Sequence, residues 1–249
     1  MASVIDRWVR FEGLDNVRDV GGLPLRGGGA TRSGVLLRSA SLHWATPADV
    51  RRLVDEYGLR LVLDLRTPRE IDRDGPTPVA AEGVETVALN LVGASRELPE
   101  TGDDTDPLLR NYLGYLSDHP ANVVEAIRRL SALDAGSALV HCAAGKDRTG
   151  VVVAMALDVV GVERGTIVDD YAQSSEQIEA LFKRWTTASG EPMPEPDELR
   201  LHHPRAEVMA AVLDRLDAAH GGAAGWLVES GLDEAALDRL RARLRNAAG

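Results

Sequence analysis

Cys142 is the only cysteine in the chain, and it stands in the stretch ALVHCAAGKDRTGVVVAMAL, with Lys146, Asp147, Arg148 and Thr149 close behind it. A thiolate is a strong nucleophile, a guanidinium binds two oxygens of a tetrahedral anion at once, and a carboxylic acid can hand a proton to a leaving oxygen. Between the thiol and the charged residues lie Ala143, Ala144 and Gly145. These are small enough for the loop to curl with successive N–H groups pointing inward, at the positive end of a helix that follows. Residues Ala143, Ala144, Gly145, Lys146, Asp147 and Arg148 would then cradle a tetrahedral anion against the sulfur. Phosphoryl transfer to Cys142 suits that arrangement, because the loop amides and Arg148 meet the charge that develops on the equatorial oxygens. Asp147 is the nearest acid to protonate an ester oxygen, and the Thr149 hydroxyl can stabilise the sulfur when it departs.

Such a loop needs a strand to bring the thiol to its entrance and a helix to begin near Arg148. The pattern supplies both: ALVHC reads as a strand and RTGVVVAMALDVVG as a helix. Upstream, NVRDVGGLPLRGGGATRSGVLLRS reads as a hairpin followed by a strand. In TPADVRRLVDEYG, Thr46 caps a helix, Pro47 fits its first turn, Asp49 completes a capping box and Gly58 ends it. LRLVLDLRT is a nearly continuous apolar run, as expected of a strand covered on both faces, and GVETVALNL reads similarly. Residues 97–107, ELPETGDDTDP, are acidic and turn-rich and read as an exposed loop, and helices are expected at PLLRNYLGYL and ANVVEAIRRLSAL. Beyond Gly161 only helical signals remain, interrupted by TTASGEPMPEPDELRLHHP, which reads as a loop or flap. Alternation of this kind predicts an α/β fold, a mostly parallel central sheet with helices on both faces, ending in an all-helical part.

The length of 249 residues with 44% hydrophobic side chains is enough for one well-packed domain. With 39 acidic against 28 basic residues the formal charge is −11, which repels nucleic acid and anionic membrane surfaces at long range. One cysteine leaves no internal disulfide and no zinc site built on several thiolates, so the expected compartment is the cytoplasm. The longest apolar run, Val151 to Val162, contains Asp158 and is too short for a bilayer. The adjacent pair His202 and His203 does not make a metal site, because neighbouring side chains seldom converge on one ion. No metal and no cofactor are expected.

HCAAGKDRTG resembles the H-C-x-x-G-x-x-R-[ST]-G signature of cysteine-dependent tyrosine and dual-specificity phosphatases. The Lys-Asp pair before the arginine is similar to a bacterial subgroup of tyrosine phosphatases, some of which also act on phosphoserine, phosphothreonine and phosphoinositides. NVRDVGG resembles the N-F-R-D-x-G-G element of that subgroup, with Val17 at the aromatic position. VLDLRTPRE resembles its D-L-R strand end, and IVDDYAQSS with GWLVESGLDEAALDRLRARL resembles its C-terminal helices.

The resemblance implies a tyrosine-phosphatase-like fold and one phosphatase domain over residues 1–249. It makes Cys142 the nucleophile, Arg148 the phosphate clamp, Thr149 the hydroxyl that assists thiolate departure and Asp147 the general acid, with Lys146 contacting phosphate or a second anion. The acidic loop offers Asp103, Asp104 and Asp106 as alternative acids. Residues 176–205 are expected as a lid, hinged at the proline-rich stretch. The implied partner is a phosphorylated protein or a phosphoinositide, and no nucleic acid.

Other readings meet the same residues. His141 could serve as a base, but neighbouring residues on a strand face opposite sides, which favours a structural hydrogen bond behind the loop. Asp64 with Arg66, and Arg18 with Asp19, either line the pocket or pair structurally. Tyr171, Phe182 and Trp185 at helical spacing read as core. AAGKDRTG superficially resembles a nucleotide-binding G-x-x-x-x-G-K-[ST] loop, but Val140 stands at the first glycine and Asp147 at the metal-binding hydroxyl. A rhodanese-like sulfurtransferase and a catalytically silent phosphoprotein-binding domain are the remaining alternatives.

Overall fold

The computed structural model describes residues 6–93 and 106–246. In chain order, β1 (Arg18–Asp19) and β2 (Leu36–Ser39) are followed by α1 (Pro47–Arg51), β3 (Leu59–Asp64), α2 (Pro68–Asp74) and β4 (Glu85–Ala88). Next come α3 (Pro107–Asp118), α4 (Pro120–Ala132), β5 (Ser137–His141) and α5 (Asp147–Val159). The rest is helical: α6 (Arg164–Ala172), α7 (Ile178–Ser189), α8 (Pro196–Leu201), α9 (Ala206–His220), α10 (Ala223–Glu229) and α11 (Glu234–Leu244).

The sheet has five strands in the order β1-β2-β5-β3-β4 among the described residues, antiparallel only between β1 and β2. β5 is central, and its last residue His141 pairs with Ser39 on one side and Asp64 on the other. The C-terminal ends of three parallel strands therefore meet where ligands bind in open α/β sheets. Alternate residues divide between two cores. Leu36, Leu61, Leu63, Ala138 and Val140 face the helical half of the chain, packing with Val151, Met155, Val212 and Leu240. Leu37, Val62 and Leu139 face the other way, against Leu14, Val17, Val50 and Leu53. Val17 thus fills core rather than lining the site. That second face is covered by the irregular N-terminal segment and α1, so the two coverings are unequal.

α1 has the expected start: Thr46 N–H donates to Asp49 and Asp49 N–H to the Thr46 hydroxyl. It widens into a π-helical turn over Arg52–Glu56 before Gly58 turns the chain at φ 59°. β4 differs from its expectation as a covered strand. With β3 as its only neighbour among the described residues it is a sheet edge, and Glu85, Thr86 and Ala88 are exposed. α2 has no counterpart in the sequence pattern read above, although Thr67-Pro68-Arg69-Glu70 carries the same capping-box signal as α1. The stretch read as a loop or flap also changes. α7 runs on to Ser189, and Pro196, read as a breaker, is the first residue of α8, where its missing N–H costs nothing. The acidic loop up to residue 105 lies outside the described residues.

Candidate active site

β5 delivers Cys142 to the sheet edge, where the residue is 2% exposed, and α5 begins five residues later at Asp147. The connecting loop is held by its carbonyls. Ala143 O accepts from Ser41 N–H at 3.0 Å, Ala144 O from Asn16 Nδ2 at 2.9 Å and Gly145 O from Arg38 Nη2 at 3.0 Å. In a trans peptide the next N–H points opposite the C=O. Three carbonyls tied outward therefore turn the amides of Ala144, Gly145 and Lys146 inward, where the first amides of α5 join them. Gly145 has φ 67°, and a Cβ there would stand 2.1 Å from Ser39 O, so a backbone without a side chain is what lets the loop close on β2.

The groups holding the loop are themselves anchored. Asn16, at φ 55°, accepts from Arg18 Nη1, and Arg18 also reaches Ser174 Oγ and Asp170 O. Arg7, Arg18 and Arg38 converge on the buried Asp170 carboxylate at 2.7, 3.4 and 2.7 Å. Burial favours the neutral acid, but the three guanidiniums outweigh it and hold Asp170 well below the usual carboxylate range. Arg18 is thus structural, and Asp19 closes a turn by accepting from the Gly21 and Gly34 amides. Asp64 and Arg66 also pair with each other, through Arg66 Nε at 3.0 Å and Nη2 at 2.7 Å. His141 is fully buried, which pushes its pKa down, and as the neutral ring it donates from Nδ1 to Cys142 O at 3.2 Å. That is the structural hydrogen bond expected of it.

Donor accounting shows which edge of Arg148 is engaged. Its Nη1 and Nη2 donate to Glu70 Oε2 at 2.6 Å and Oε1 at 2.8 Å, and Nη1 also to Leu65 O at 3.2 Å. Of five N–H donors, this leaves Nε–H and one Nη2–H without a protein partner among the described residues. Those two form one edge of the guanidinium, a fork that fits two oxygens of a tetrahedral anion. Glu70 is placed by the α2 capping box, since its Oε2 accepts from Thr67 N–H at 2.7 Å. Burial disfavours its charge, but Arg148 and the Thr67 amide outweigh that and bring its pKa to about 2 from 4.5.

Asp147 accepts a hydrogen bond from the Tyr112 phenol at Oδ1 and lies 3.5 Å from Lys146 Nζ at Oδ2. Lys146 Nζ donates to His202 O at 2.6 Å, which ties the 176–205 segment to the loop. The Thr149 side chain is fully buried, and its hydroxyl has no partner among the described residues. Asp106 is engaged elsewhere: it caps α3 through Leu108 N–H and pairs with Arg205 at 2.7 Å. Asp103 and Asp104 lie outside the described residues.

A cavity of about 680 Å³ opens beside the loop, lined by Ala143, Ser41, His43, Glu70, Arg73 and Trp185 among others. Trp185 thus contributes a wall rather than core, whereas Tyr171 is buried, and Phe182 packs on the His202 ring at 4.6 Å. No group of three or more His, Cys, Asp or Glu side chains is arranged to hold a metal ion among the described residues. Nor is any helix among them long and apolar enough to cross a membrane.

Cys142, Ala143, Ala144, Gly145, Lys146, Asp147, Arg148 and Thr149 are all brought together. Sequence reasoning missed Glu70, Tyr112, Asp170 and Arg38, and read Tyr171 as core, which it is, without its phenol contact to Tyr112. The TPRE capping box could have exposed Glu70, and nothing local marks the others. A family model described as "tyrosine phosphatase family" matches residues 9–246. The chain is similar to a tyrosine-protein phosphatase of Nostoc commune, 31% identical over 219 residues, 85% of this chain and 74% of the relative. It is also similar to the triple specificity protein phosphatase PtpB of Mycobacterium tuberculosis, 30% identical over 253 residues, 85% of this chain and 91% of that protein.

Proposed function

The chain belongs to the tyrosine phosphatase family, and from that premise we propose that it hydrolyses phosphate monoesters through a phosphocysteine formed on Cys142. The observation that carries this reading is the closed loop, whose three carbonyls are tied by Ser41, Asn16 and Arg38 beside the buried Cys142, with one edge of Arg148 unpartnered among the described residues. In the first step the Cys142 sulfur bonds to phosphorus as the ester oxygen leaves, taking the proton of Asp147. In the second, water attacks phosphorus, Asp147 receives a proton, and the thiolate departs with the Thr149 hydroxyl donating to it. Glu70 fixes which edge Arg148 presents. The loop amides and that edge stabilise the equatorial oxygens throughout.

Phosphotyrosine in proteins is the proposed principal substrate, with phosphoserine, phosphothreonine and phosphoinositides as further ones. The similarity to a triple specificity phosphatase supports that breadth, as does the additional cation Lys146 beside the loop. One catalytic domain spans the chain, and residues 176–205 act as its lid: Trp185 walls the cavity and His202 O holds Lys146. Phosphate release from an aryl phosphate with a chelator present tests the chemistry. Cys142→Ser and Arg148→Ala are each expected to lower kcat by at least ~10³-fold, and rapid quenching should trap a phosphorylated cysteine. Undiminished turnover by Cys142→Ser would refute the reading. Hydrogen exchange in 176–205 that is unchanged on binding vanadate would remove the lid.

A further inference from the structure

Behind Asp147 runs a chain of hydrogen bonds that the reaction as described does not use. The Arg205 backbone N–H donates to the Tyr171 phenol oxygen at 3.3 Å, the Tyr171 and Tyr112 phenols are 2.8 Å apart, and Tyr112 reaches Asp147 Oδ1. A backbone N–H can only donate, and if the buried Tyr171 oxygen accepted from Tyr112 as well, the Tyr171 hydrogen would be left without a partner, so the direction of the chain is set from that end. The Tyr171 oxygen accepts, its hydrogen goes to the Tyr112 oxygen, and the Tyr112 hydrogen is left for Asp147. We infer that Tyr112 is the positioning residue of Asp147, and that its phenol determines which carboxyl oxygen carries the transferable proton.

The alternative arrangement fails on hydrogen-bond accounting. Were the proton on Oδ1, the Tyr112 oxygen would have to accept from both Asp147 and Tyr171. Its own hydrogen would then be stranded in a fully buried site, at the cost of an unpaired polar group. The proton therefore sits on Oδ2, the oxygen nearer Lys146. When the Oδ2–H bond breaks and the proton passes to the ester oxygen, the electron pair stays on the carboxylate. Tyr112 is already donating to that charge, and burial with Asp147 alongside raises its pKa, so it remains a donor. The ring cannot swing away: it stacks on Tyr115 at 5.8 Å and meets Tyr171 edge-on at 6.2 Å.

The inference rests on Asp147 being the proton donor, and leaving-group dependence separates the two claims. Turnover of 4-nitrophenyl phosphate, with a good leaving group, is compared with that of phenyl phosphate, with a poor one. Asp147→Asn is expected to slow the second far more than the first. Tyr112→Phe, which keeps the ring, should lower kcat for phenyl phosphate about tenfold, roughly the worth of one charge-assisted hydrogen bond. It should lower kcat/KM, which reports the first step only, far less for the nitrophenyl ester than for the phenyl ester, and add nothing in the Asp147→Asn background. Tyr171→Phe should act in the same sense by about threefold, and it serves as the second variant should Tyr112→Phe fold poorly. If Asp147→Asn is selective and both tyrosine variants slow all leaving groups equally, the tyrosines only pack and the inference falls. If Asp147→Asn is itself unselective, the acid assignment falls and takes the inference with it.

Discussion

The two halves of the catalytic loop are held in different ways. From Ala143 to Gly145 the grip is on backbone carbonyls, by Ser41, Asn16 and Arg38, with the Asp170 cluster behind them. From Lys146 to Arg148 it is on side chains, by His202 O, Tyr112 and Glu70. The first half is a matter of shape: its residues are small, and its carbonyls lock the amides inward whatever the substrate. The second half is a matter of chemistry in the proposed mechanism, where its partners select which proton and which guanidinium edge face the phosphate. Changes behind the first half should therefore cost stability together with activity, and changes behind the second should cost turnover while the fold survives.

Asp170→Asn gives the largest expected effect on stability. It leaves Arg7, Arg18 and Arg38 buried without their shared counter-charge, and unbalancing a buried ion cluster costs about 3–5 kcal/mol. Urea unfolding should show the loss, and an unchanged midpoint would erase the distinction between the halves. Gly145→Ala comes next. An alanine in the left-handed region costs about 1–2 kcal/mol, and pressing its Cβ into the Ser39 carbonyl adds about 1–3 kcal/mol. The melting temperature and kcat should fall together.

Glu70→Gln probes the second half. It weakens the grip on Arg148, and kcat should drop about tenfold, near 1.4 kcal/mol, while the melting temperature at neutral pH falls by less than in Gly145→Ala. A melting temperature that falls as far as in Gly145→Ala would show that Glu70 supports the fold rather than the chemistry. The smallest effect is on pH dependence. The Glu70 pKa is lowered on folding, from 4.5 to about 2, so between those values the unfolded chain binds more protons. The stability it contributes is complete above about pH 4.5 and is lost as the pH falls toward 2. Melting curves of the native chain and of Glu70→Gln should converge across that window.

Much of this architecture was legible in advance. The strand ALVHC, the helix after it and the α1 capping box are local patterns, written by side-chain periodicity and by residues that satisfy nearby amides. α8 was obscured because its proline reads as a breaker unless its place in the first turn is known. β4 was misread because an edge and a covered strand differ in neighbours, which a local apolar count does not contain.

What the sequence determined by itself is the candidate reacting set: a thiol, small residues, an acid, a guanidinium and a hydroxyl within eight consecutive positions, Cys142 to Thr149. Their proximity follows from chain connectivity and needs no fold to establish it. The tertiary structure alone decided how each group is presented. Glu70 is 78 residues from Arg148, Tyr112 is 35 from Asp147 and Asp170 is 132 from Arg38. Over such separations no periodicity links partner to partner. Only burial does so, because a polar group taken out of water must find its complement wherever the packed chain has brought one.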